Sequence, residues 1–186
     1  MFRSIILLLG MTLGNMTAAA ELDPASVYQL QASFSNQDAV EFRLLTRRGQ
    51  VQLVAMFYTS CQYVCPLIVD SARGVEHALS DDERGRLGIL LVSMDPEHDT
   101  SEKLLGVLQK RKLDPKRWTL ARTDEGGVRK LAALLGVRYR KLANGEFNHS
   151  SALILLDAEG RVIARTEKLG PKPDAEFLKA VQAALK

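Results

Sequence analysis

Cys61 and Cys65 are the only cysteines in the chain, and three residues separate them. Thiolate sulfur is both the nucleophile of disulfide exchange and a soft metal ligand, so a close pair can do redox chemistry or hold a soft ion. In an ideal helix, residues four apart have Cα atoms about 6 Å apart but nearly parallel Cβ bonds, too far apart at the sulfurs for a bridge. With Cys61 in a loop just before a helix, the sulfurs can close into a disulfide or open around a metal. A bridge enclosing so few residues removes little entropy from the unfolded chain, which argues against a purely structural disulfide. Of the three histidines, His77 and His98 read as solvent-facing, on a helix and in a loop. His149 directly precedes an apolar run, where a side chain can face the cysteine loop.

The elements around these residues follow from hydrophobic periodicity. Residues 51–58 are apolar except for Gln52, as expected of a buried central strand. The motif Phe57-Tyr58-Thr59-Ser60-Cys61-Gln62-Tyr63-Val64-Cys65-Pro66 follows that strand. Pro66 suits a first helical turn, and Ile68, Ala72, Val75 and Leu79 continue the spacing to give a helix over 66–79. A helix start favours negative charge and so lowers thiol pKa values.

Residues 87–94 read as a second buried strand. Asp99 with Glu102 resembles a capping box that opens a helix running to about Lys112. A short strand over 118–121 and a helix from Val128, stopped at Gly136, come next. Two strands, 151–156 and 161–166, are joined by a turn containing Gly160, and a final helix is capped by Asp174. Val40, Phe42 and Leu44 alternate with polar residues and read as a half-exposed strand. Strands alternating with helices imply parallel neighbours with right-handed crossovers, and the closing hairpin adds an antiparallel edge. The expected fold is α/β: a three-layer thioredoxin-like arrangement with a central mixed sheet, flanking helices and an extra N-terminal β-hairpin.

The chain has 186 residues, 46% of them hydrophobic and 25% charged, which fits one globular domain and excludes disorder, collagen and coiled coil. A net charge of +3 does not argue for nucleic acid. Residues 1–20 have a positive start at Arg3, a short apolar run and a small-residue ending, Ala18-Ala19-Ala20. They read as a signal peptide cut after Ala20, for a soluble periplasmic or exported product; an uncleaved N-terminal membrane anchor is the alternative. No cysteine lies near the cut, so a lipid anchor there is not expected. The remainder divides into an extended lead-in over 21–32 and one domain over 33–186.

Three stretches together carry a family resemblance: the cysteine motif through Pro66, then Leu91-Val92-Ser93-Met94-Asp95-Pro96-Glu97-His98-Asp99-Thr100, then His149-Ser150-Ser151. From Ser33 to Leu185 the chain resembles the Sco/SenC family, copper-binding thioredoxin-like proteins linked to assembly of the binuclear copper site of cytochrome c oxidase. The resemblance implies metal ligands at Cys61, Cys65 and His149, and a nearby acid at Asp95. It implies copper, as Cu(I) or Cu(II), and a partner in the copper-bearing oxidase subunit or another cuproprotein. Membrane contact is expected only through that partner or an uncleaved N-terminus. The chain departs from the family in having no acid between the cysteines.

The donor set independently favours copper over zinc: thiolates suit Cu(I), imidazole suits both copper states, and three donors fall short of a closed zinc site. The competing reading is a thiol–disulfide reductase that keeps a cuproprotein's cysteines reduced, drawing on a thiol reductant, with Cys61 attacking and Cys65 resolving. A redox sensor would use the same residues. Met56 and Met94 read as core. Lys103, Lys110, Arg111, Lys112, Lys116, Arg117 and Arg122 form a basic run, either a solvated face or a docking patch for an acidic partner.

Overall fold

The computed structural model describes residues 22–61 and 64–186, and the side chains of these except Val64 and Cys65. The leader, its cleavage point and its anchoring alternative therefore lie outside the described residues. Nine strands and five α-helices are described: β1 Phe34–Asn36, β2 Glu41–Phe42, β3 Val51–Phe57, α1 Val64–His77, α2 Asp81–Arg86, β4 Leu87–Ser93, α3 Ser101–Lys110, β5 Trp118–Arg122, α4 Glu125–Leu134, β6 Tyr139–Lys141, β7 Phe147–His149, β8 Leu153–Leu156, β9 Val162–Thr166 and α5 Ala175–Ala184.

Seven strands form one sheet in the order β2-β1-β5-β4-β3-β8-β9, while β6 and β7 form a separate two-stranded hairpin. β3, β4 and β5 are parallel, and the two edges are antiparallel. This is the expected mixed α/β sheet with its N-terminal hairpin. Every residue of β4 is buried, and so is all of β3 after Val51, as the apolar runs require of central strands. Right-handed crossovers from β3 to β4 and from β4 to β5 step in one direction, which puts α1 and α3 on the same face. The Arg111–Asp70 ion pair, 3.3 Å long, joins those two helices.

Several boundaries differ from the sequence reading. Val40 is exposed and Leu44 opens a 3-10 turn, so the expected strand there shrinks to β2. The segment expected to be an extended lead-in contains a 3-10 turn, and Val27, Tyr28 and Leu30 enter the core. The cap of α3 is Thr100, whose side chain accepts from the Lys103 N–H, and not Asp99. Asp99 is fully buried and serves another purpose, because a carboxylate enclosed by donors gains more there than at an exposed helix end. Asp174 does cap α5, but its carboxylate reaches back to Thr166 Oγ1 at 2.9 Å and to Lys168. Gly136, at φ +64°, ends α4 where expected, in a conformation that favours glycine.

The three arginines of the basic run are tied down. Arg111 meets Asp70, Arg117 meets Glu76 and Asp114, and Arg122 donates to the Pro96 carbonyl. Glu76 is itself buried on α1 and also accepts from Trp118 Nε1 at 3.0 Å. No helix among the described residues is long and apolar enough to cross a membrane.

Candidate metal centre

Beyond β3 the chain runs through Tyr58, Thr59 and Ser60 to Cys61, and α1 begins at Val64. Open α/β sheets present their sites here, beyond the carboxyl ends of the strands. Cys61 is half-buried, and its N–H donates to the Tyr58 carbonyl at 3.4 Å. Cys65 is the second residue of α1, so it stands at the helix start with Cys61 in the loop before it. A cavity of about 590 Å³ opens beside Cys61, with Phe57, Pro66, Val69 and Val107 in its walls and Lys110 and Arg111 in its lining.

Asp99 holds the cysteine loop in place. Its carboxylate accepts from the Thr59 N–H at 3.0 Å, from the Thr59 hydroxyl, and from the Ser93 hydroxyl at 2.5 Å. The loop after β3 is thereby fastened to the end of β4. The spacing of Asp99 and Glu102 in the sequence signalled a cap, and that reading hid the buttress.

His149 reaches the same place from the opposite side of β3. The antiparallel register of β3 with β8 pairs Val54 with Ile154 and Gln52 with Leu156. Each step up β3 is a step back along the segment entering β8, so continuing the register brings Tyr58 level with Ser150. His149, the last residue of β7, accordingly packs its ring against Tyr58, with centroids 6.1 Å apart and the planes at 75°. Cys61 and His149 are thus both neighbours of one residue.

The β6–β7 hairpin that carries His149 was not anticipated. Asn144-Gly145 is its turn, with Gly145 at φ +83°, and that dipeptide was the available signal. Phe147 of β7 packs on Tyr58 at 5.1 Å, and the Phe147 N–H donates to the Tyr58 hydroxyl at 3.4 Å.

The His149 ring has its Nδ1 3.4 Å from the Ser150 carbonyl and 3.3 Å from the Ser151 hydroxyl. A carbonyl only accepts, so the proton belongs on Nδ1 and the lone pair on Nε2, the arrangement that prepares an imidazole to ligate. Burial pushes the His149 pKa below its ordinary value, and the Ser150 hydrogen bond opposes this only in part. The fold therefore favours the neutral ring and binds fewer protons there than the unfolded chain. That contribution to stability is complete above about pH 6.5 and is lost as pH falls from there toward the lower folded value. Chemical denaturation of the metal-free chain between about pH 7.5 and pH 5 should show a steeper loss than in His149→Gln. Equal slopes would assign the imidazole an ordinary solvated environment.

Asp95, the acid that the resemblance implies near the metal, lies just past the end of β4. It is buried, and its described side-chain partner is His98, whose Nδ1 lies 2.9 and 3.0 Å from the two carboxylate oxygens. His98 remains exposed, as expected, with that one ring nitrogen engaged. His77 is exposed on α1. Met56 and Met94 are both in the core. Glu97 joins Asp95 and His98 in a surface cluster and is held by Lys141 of β6.

The SCO1/SenC family model matches residues 23–186, almost the whole described chain. The chain belongs to the SCO1/SenC family. A SCO1 protein homolog of Bacillus subtilis (strain 168) is 23% identical over 165 residues, covering 87% of this chain and 85% of the relative. The structure of Bradyrhizobium japonicum ScoI with copper bound is 22% identical at a TM-score of 0.68, covering 82% of this chain and 96% of the other. BsSco, described with a disulfide switch and as a member of the Sco family of cytochrome c oxidase assembly proteins, is 20% identical at a TM-score of 0.69, covering 83% and 91%. These likenesses give the SCO1/SenC chain its fold: a thioredoxin-like sheet with the cysteine loop at the end of β3.

Proposed function

We propose that this SCO1/SenC chain binds one copper ion through Cys61, Cys65 and His149 and delivers it to the copper-bearing subunit of cytochrome c oxidase or to another cuproprotein. The observation that carries the proposal is the meeting of His149 with Tyr58, three residues before Cys61. Family membership, a relative solved with copper bound and another assigned to oxidase assembly support it. The same reading has the chain exported and cut after Ala20, which the intact mass of an exported preparation reads out.

The donor chemistry fits the cargo. Two thiolates hold Cu(I), and the neutral imidazole adds the donor that Cu(II) also accepts. Two thiolates with Cu(I) carry one net negative charge, which the start of a long helix such as α1 favours. Three protein donors leave the ion open on one side, so a partner's incoming ligands can attach before the chain's own let go. Asp99 holds the loop while this happens, and Ser150 holds the His149 tautomer.

The position of Cys61 beside an open cavity favours a second reading. A Cys61 thiolate attacks a target disulfide, Cys65 displaces the target from the mixed disulfide, and the target leaves as a dithiol. The Cys61–Cys65 disulfide so formed is restored by a thiol reductant.

His149→Ala separates the two readings. As a ligand, its loss weakens Cu(II) binding by more than about 100-fold and Cu(I) binding far less, because two thiolates alone still hold Cu(I). Titration of both ions into the reduced variant, with the disulfide reduction potential measured beside it, reads this directly. For the two-electron couple, a shift of about 30 mV corresponds to roughly 1.4 kcal/mol. Unchanged copper affinities together with a shifted potential and slowed exchange would leave the reductase standing.

A further inference from the structure

We infer that Tyr58 is a positioning residue for His149, and that the docking of the β6–β7 hairpin on Tyr58 sets how well the site holds Cu(II). The inference rests on the copper reading above and extends it to a residue that does not itself ligate. A two-stranded hairpin is marginal in water by itself, and among the described residues β6–β7 has no strand pairing to the main sheet. Its placement must come from side-chain contacts with the body of the protein.

Tyr58 supplies three of them from one buried side chain. Its ring meets Phe147 at 5.1 Å and His149 at 6.1 Å, and its hydroxyl accepts from the Phe147 N–H at 3.4 Å. Elsewhere the hairpin is held by Tyr139, half-buried against the core and 6.2 Å from the Phe147 ring, by the exposed Lys141–Glu97 pair, of a kind that contributes little, and by hydrogen bonds between Arg138 and Ser150 within its own flanks. On the other side, the Tyr58 carbonyl accepts from the Cys61 N–H. One residue therefore touches both the cysteine loop and the hairpin with the imidazole. Cys61 and Cys65 belong to the loop and to α1 and not to the hairpin, so loosening the hairpin removes the nitrogen donor and leaves the sulfurs. Cu(II), which depends on the nitrogen, is affected first.

The test compares the reduced chain with Tyr58→Leu, Tyr58→Phe, Phe147→Ala and His149→Ala. Cu(I) and Cu(II) are titrated into each, the Cu(II) absorption and EPR spectra are recorded, and the His149 ring-proton shifts are followed by NMR without metal. Phenylalanine keeps the ring stack on Phe147 and His149 and gives up the long hydrogen bond from the Phe147 N–H, so Tyr58→Phe retains the parent spectra and affinities. Tyr58→Leu weakens Cu(II) by about 10–100-fold, as for loss of a residue that orients a ligand, with Cu(I) changed less than about threefold. Its His149 shifts lose the contribution of the Tyr58 ring. Phe147→Ala, on the half-buried hairpin side, does the same and decides the matter if Tyr58→Leu does not fold. Parent-like Cu(II) affinity in both Tyr58→Leu and Phe147→Ala, beside a clear loss in His149→Ala, overturns the inference while the copper reading stands. Undiminished Cu(II) binding in His149→Ala overturns the copper reading, and the inference with it.

Discussion

The reduced Cys61→Ala chain loses tight copper binding, and so does Cys65→Ala. There is no other thiol in the sequence to replace either one. Among the described residues the other soft donors near this end of the sheet are Met56 and Met94, and both are buried in the core. Removing one sulfur leaves one thiolate and one imidazole, a poor set for Cu(I), which prefers sulfur. The expected loss is at least about 1,000-fold, equivalent to roughly 4 kcal/mol, by competition against a Cu(I) chelator of known affinity. Cys61 is half-buried in a loop, so its truncation leaves the folding free energy within about 1 kcal/mol of the parent. That separation matters: copper is lost while the melting temperature holds. Undiminished binding in either variant would sink the proposed site.

Asp99→Ala produces the largest expected change in stability. The carboxylate is fully buried and accepts from the Thr59 N–H, the Thr59 hydroxyl and the Ser93 hydroxyl. Alanine leaves these donors facing a small void that holds no acceptor. Hydrogen bonds to a charged group contribute about 1.5–3 kcal/mol, and stranded buried donors cost a similar amount. A net loss of about 3 kcal/mol follows, which lowers Tm by roughly 6–12 °C for a chain of this size. Asp99→Asn keeps one acceptor oxygen and falls between. The damage is also local: amide exchange at Thr59 and Cys61 accelerates beyond the global change, since the loop loses its tie to β4. A Tm within about 2 °C of the parent would show that the loop is held by other contacts.

Much of the architecture was legible in the chain because burial imposes pattern. The central strands β3 and β4 are buried on both faces, so they read as continuous apolar runs and their positions were recovered closely. Helix α4 announced its end at Gly136 because the left-handed turn there favours glycine. The short elements were harder. Helix α2 carries a complete Ser80/Glu83 capping box, yet none of its residues is buried, so no apolar stripe marked it. Strands β6 and β7 have three residues each and no buried side chain, and only Asn144-Gly145 between them betrays a hairpin. Val40 to Leu44 alternates as a strand should, but the chain turns at Leu44 and leaves Val40 in solvent.

The candidate site divides along the same line. Two cysteines at this spacing before a helix-opening proline state their chemistry by type and order, since any fold that starts a helix there presents both sulfurs near one point. The charge on a metal-loaded pair and its preference for a soft ion follow from the atoms alone. What the sequence could not carry was the partner of each polar group. Asp99 looked like a cap because Glu102 lies three residues on; only the parallel pairing of β3 with β4 brings Thr59 beside it and turns it into a buttress. The resemblance implied an acid near the metal at Asp95, and only the folded turn shows that its carboxylate also meets His98. His149 and Cys61 are far apart along the chain, and nothing local relates them. They meet at Tyr58 because β8 runs antiparallel beside β3, so the residues entering one strand come level with those leaving the other. Local chemistry is a property of residue types and spacing. The company each residue keeps is a property of sheet register, which exists only once the chain has folded.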